Sequence, residues 1–85
     1  MMTQDEKQTF RTWLGRNTKL SEKAAGDVVS RLARIEKITP IHTKGSAEDF
    51  LFNLGKKADF ADLSRDVRSQ LKRAYTFYCL FKSGK

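Results

Sequence analysis

Arg65, Arg68 and Lys72 recur at one-turn spacing with Arg73 next to the last of them, and between Ser64 and the C-terminus six Lys/Arg face a single acid, Asp66. Cations repeated this way along a helix do one kind of chemistry well: they neutralise a polyanion. Arginine can grip a phosphate through two parallel hydrogen bonds, and lysine acts as a point charge. Nucleic-acid phosphate is the commonest target of such a surface. Arg31 and Arg34 supply a second cationic group, with Ser30 and Asp27 nearby. Lys19 and Lys23 flank Ser21, where a helix start would offer free N–H groups to a phosphate.

Residues suited to covalent or metal chemistry are sparse. There is one histidine, His42, and one cysteine, Cys79, fewer ligands than a zinc site requires. Asp59, Asp62 and Asp66 cluster before and at the start of the last helix, where the positive helix end accounts for them. No glycine-rich stretch resembles a phosphate cradle. The expectation is a chain with no catalytic residue, no metal site, no cofactor and no small-molecule substrate.

These cations need a scaffold to hold them. The chain has 85 residues and a formal net charge of +7, with a pI near 9.9. That length predicts one small domain with a modest core. Residues 1–38 carry eight basic and five acidic groups, and residues 39–85 carry nine and five. The charge is therefore spread along the chain, and any basic patch must be assembled by folding. A lone cysteine suits a reducing cytoplasm. No apolar run approaches the ~20 residues of a membrane span, and MMTQDEKQTF lacks the apolar stretch of a signal peptide. A cytoplasmic protein without membrane contact is expected.

Four helices are predicted, over about 4–14, 22–37, 47–54 and 65–81, giving an all-α bundle. Thr3, Ser21, Ser46 and Ser64 stand where N-caps belong. Thr3 with Glu6, and Ser46 with Asp49, have capping-box spacing. Gly15, Pro40 and Gly55 read as stops. Phe10, Trp13 and Leu14 share one face of the first helix; Ala25, Val28, Val29, Leu32 and Ile35 share one face of the second. Phe50, Leu51 and Leu54 face inward on the third. Val67, Leu71, Ala74, Tyr78 and Phe81 do so on the fourth, widened by Phe77 and Leu80. Tyr75 falls off that stripe. Residues 39–45 and 56–63 read as connections, the second pinned to the core by Phe60 and Leu63.

The segment FRTWLGRNTKLSEKAAGDVVSRLARIEKI resembles the first half of the core-binding, SAM-like domain of tyrosine recombinases (phage integrases). The resemblance rests on Phe10-x-x-Trp13-Leu14 and on Leu20-Ser21-Glu22-Lys23-Ala24, where Ala24 replaces the family's usual Thr. LSRDVRSQLKRAYTFYCLF resembles the last helix of that domain. The likeness spans about residues 5–82. It implies a four-helix (SAM-like) bundle that grips duplex DNA with its second and last main helices. By position it implicates Lys23, Arg31, Arg34, Arg65, Arg68, Lys72 and Arg73 as the DNA-binding residues. Nothing in the chain corresponds to the family's Arg-His-Arg set or tyrosine nucleophile, and neither Tyr75 nor Tyr78 takes that role.

Three readings follow. The first is a non-catalytic DNA-binding module, either a domain of a longer recombinase or a free-standing relative from a phage or mobile element. The second is a regulatory protein-interaction module that docks on an acidic partner, anchored by an exposed apolar group such as Tyr75 or Trp13. The third is recognition of RNA by shape and charge.

Overall fold

Four hydroxyl side chains set where the long helices begin. Thr3 accepts from the Glu6 amide at 3.1 Å, Ser21 from Ala24 at 3.1 Å, Ser46 from Asp49 at 3.1 Å and Ser64 from Val67 at 3.3 Å. Each satisfies one of the amides that a helix start leaves without a partner. In the computed structural model, which describes residues 2–83, they open helices α1 (Gln4–Asn17), α2 (Glu22–Ile38), α3 (Ala47–Gly55) and α5 (Arg65–Ser83). A one-turn helix, α4 (Ala58–Ala61), lies between α3 and α5. No strand occurs among the described residues.

The connections carry the departures from expectation. Residues 56–63 are not a plain linker, because α4 forms there to drive Phe60 into the core at 2% exposure. The bundle therefore has five helices, not four. Gly15 does not stop α1. The helix continues to Asn17 and ends where Thr18 becomes extended, its amide and hydroxyl both donating to the Leu14 carbonyl. Gly45 adopts φ 78°, the only positive φ among the described residues, and turns the chain into the Ser46 cap.

One hydrophobic core joins all five helices. It contains Phe10 and Leu14 of α1; Ala25, Val28, Leu32 and Ile35 of α2; and Phe50 and Leu54 of α3. Phe60 of α4, together with Leu71, Ala74, Tyr75 and Tyr78 of α5, completes its helical part. Helix α5 packs on α2 most extensively and also touches α1 and α3. The radius of gyration is 12.3 Å, against about 12 Å for a compact chain of this length.

The buried stripe of α5 is rotated from the expected one. Tyr75 is 1% exposed, not off the stripe, whereas Leu80 is 53% exposed rather than widening it. The cause is α3. Phe50 stacks on Tyr75 with ring centroids 4.1 Å apart, and the Tyr75 hydroxyl donates to the His42 carbonyl at 2.7 Å. Leu80, five residues on, is turned about 140° away at 100° per residue. Near the end of α5, Phe10 packs on Phe81 at 5.1 Å and edge-on against Tyr78 at 5.6 Å. Trp13, half-buried, closes the cluster against Phe81 at 5.7 Å.

Candidate nucleic-acid interface

Helix periodicity decides how the seven candidate cations are presented. On α2, the buried positions 25, 28, 32 and 35 leave Lys23 and Arg34 exposed and Arg31 half-buried at the boundary with α5. On α5, burial of 71, 74, 75 and 78 puts residues 72 and 73 on opposite shoulders of the helix. Arg65, Lys72 and Arg73 are exposed, and Arg68 is half-buried.

A groove of about 280 Å³ runs between α2 and α5. Arg31 enters it from α2 and Arg73 from α5, alongside Asp27 and Gln70, over a floor that includes Val28 and Phe77. The Arg73 guanidinium sits 5.4 Å from the Phe77 ring centroid. Such a contact orients the charge while leaving its donors free for a ligand. Asp27 shares the groove, yet it makes no ion pair with Arg31 among the described residues, although their spacing would permit one.

The remaining α5 cations do not enter this groove. Arg65, Arg68 and Lys72 follow i, i+3, i+7 spacing on the other shoulder. Tyr75, which packs on α3, lies nearly in line with Arg68 seven residues before it. The Nε of Arg68 is buried without a hydrogen-bond partner. Its stem therefore packs along the helix surface, and only the terminal nitrogens remain to meet a ligand. Two of the seven candidates are thus brought together in one groove, Lys23 and Arg34 lie on the solvent side of α2, and three form a separate strip.

The ion pairs among the described residues are Arg11 with Glu22 at 3.8 Å and Lys82 with Glu6 at 2.9 Å. None of the seven candidate cations takes part in either. Cations not tied up in ion pairs present a basic surface able to attract an external polyanion. No group of three or more His, Cys, Asp or Glu that could hold a metal occurs among the described residues. No helix among them is long and apolar enough to cross a membrane.

Phe52 lies outside the inward-facing positions expected on α3. It is 66% exposed on α3, with the Lys56 ammonium 4.4 Å from its ring centroid. The signal was present, since residue 52 falls opposite Phe50 and Leu54 at helical spacing. No protein-family model, curated protein or solved structure matches the chain.

Proposed function

We propose that this protein is a non-catalytic module that binds duplex DNA, with the α2–α5 face as its contact surface. One observation carries the reading: Arg31 and Arg73 converge from two helices on one groove, and neither is held in an ion pair among the described residues. Lys23 and Arg34 extend that surface along α2. Arg65, Arg68 and Lys72 form a flanking strip that engages an adjacent stretch of backbone. Affinity comes mainly from phosphate neutralisation and release of bound counterions, so it falls steeply with salt. The proposal includes kinship with the core-binding domains of tyrosine recombinases and a cytoplasmic setting. The side-by-side packing of the second and last main helices supports the kinship, and the free thiol of Cys79 supports the setting.

The test is the salt dependence of duplex binding. If each arginine neutralises one phosphate, Arg31→Ala with Arg73→Ala lowers the slope of log K against log salt by about 1.8, at roughly 0.9 per contact. An unchanged slope in a folded double variant rejects the groove as the DNA site.

An acidic protein partner is the second reading, favoured by the exposed Phe52 and Leu80. Tyr75 no longer serves as its anchor because it is buried. Phe52→Ala separates the readings: it impairs docking on a protein and leaves duplex binding intact.

A further inference from the structure

A second basic site lies away from the α2–α5 groove. The linker from Thr39 to Gly45 folds over α3 and encloses a recess of about 120 Å³. Its polar lining consists of Thr39, His42, Lys44, Asp49, Asn53 and Lys57, and its apolar wall is formed by Phe50 and Leu54. Both wall residues are buried, at 5% and 1% exposure. They back the recess with apolar surface, while His42, Lys44, Asp49, Asn53 and Lys57 remain exposed to solvent at its rim.

The donor set matches an oxyanion. Lys44 and Lys57 each carry three ammonium donors, while Asn53 adds an amide and Thr39 a hydroxyl. Asp49 is the one carboxylate in the lining, yet it pairs with neither lysine among the described residues. Two cations against one anion leave the recess with a net positive charge. The volume is enough for one tetrahedral oxyanion.

The linker is also held in place. Its His42 carbonyl accepts from the Tyr75 hydroxyl at 2.7 Å, and the His42 ring stands edge-on to Phe50 at 5.3 Å. Tyr75 is in turn stacked on Phe50. The backbone of the recess is therefore in place before any ligand arrives, and the ordering that binding requires falls on the exposed Lys44 and Lys57 side chains.

We propose that this recess binds a single phosphate-type oxyanion, gripped by Lys44 and Lys57 and oriented by Asn53, Thr39 and His42. The inference does not rest on the DNA-binding reading. The same chemistry serves a free phosphate group or one phosphate of a nucleic-acid backbone, and the experiment separates the two.

Labelled protein is titrated with inorganic phosphate at constant ionic strength, with chloride as the control, and in parallel with a short duplex. Saturable shifts at Lys44, Asn53, Lys57 and His42 with inorganic phosphate support a free-phosphate site. The same shifts with duplex alone support a backbone-phosphate site. In either case Lys44→Ala with Lys57→Ala weakens the response about tenfold or more, which corresponds to roughly 1.4 kcal/mol. Both lysines are exposed, so the double variant keeps its core. Equal shifts with chloride, no shifts with either ligand, or shifts that persist in the double variant overturn the proposal. Repeating the phosphate titration on Arg31→Ala/Arg73→Ala isolates the recess, since losing the groove leaves its response unchanged.

Discussion

Glu6 does not complete the capping box that its spacing from Thr3 suggests. Its carboxylate turns instead to α5, accepting from the Tyr78 hydroxyl at 3.1 Å and the Lys82 ammonium at 2.9 Å. One side chain thus ties the first helix to the end of the last. Burial pushes the Tyr78 phenol up to about 12, and the charge and hydrogen bond of Glu6 push in the same direction. Tyr75 is raised further, again mainly by burial, with the Cys79 thiol beside it adding to the effect. Both phenols ionise more easily in the unfolded chain, at about 10, so the unfolded state binds fewer protons above that pH. The stability they contribute is complete below pH 10 and is lost as pH rises toward 12. A urea-unfolding midpoint measured against pH should be flat up to 10 and then fall. Tyr78→Phe should remove part of that fall, and an identical alkaline limb in the variant would refute the assignment. Tyr78 was legible as core from its spacing. Tyr75 was not, because its burial depends on Phe50 arriving from a separate helix, which no pattern within α5 encodes.

Element boundaries followed from caps wherever a side chain does the capping. Thr3, Ser21, Ser46 and Ser64 each carry local information, and each accepts the expected amide hydrogen bond. Where tertiary packing decides, the pattern was silent. Helix α4 exists because Phe60 needs a route into the core, and its N-cap position, Lys57, makes no side-chain cap. Gly15 looked like a stop yet stays helical, with Thr18 and Asn17 bonding back to the carbonyls of Leu14 and Trp13. A Cβ on Gly15 would meet nothing within 4 Å. Gly15→Ala therefore gains helix propensity without a clash and should stabilise the protein by about 1 kcal/mol. In a domain of this size that raises the Tm by roughly 4–8 °C. Gly26→Ala should gain less. Its Cβ would come to 3.4 Å from the Arg11 guanidinium, the near edge of ordinary van der Waals contact, and so crowds the side chain that pairs with Glu22. A lower Tm for Gly15→Ala would mean that α1 ends before residue 15 in solution.

Net charge sets behaviour at the scale of the molecule. The chain carries +7, and the two ion pairs among the described residues are too exposed at Arg11 and Glu22, and too few overall, to offset it. The sequence made the sum of charges visible but not their grouping. Arg31 and Arg73 meet only because α2 and α5 pack together, and Lys44 and Lys57 share a recess only because the 39–45 linker folds over α3. The unpaired cations repel one another in the compact state more than in the expanded chain. Added salt screens that repulsion within a Debye length of ~10 Å at 0.1 M. Salt should therefore act on stability and on DNA binding with opposite signs. The urea midpoint should rise as salt increases from low to physiological concentration, while duplex affinity falls across the same range. A midpoint that fell with salt would mean that attractive pairs outweigh the repulsion. The cations of α2 and α5 would then be engaged within the protein rather than free to meet a phosphate backbone.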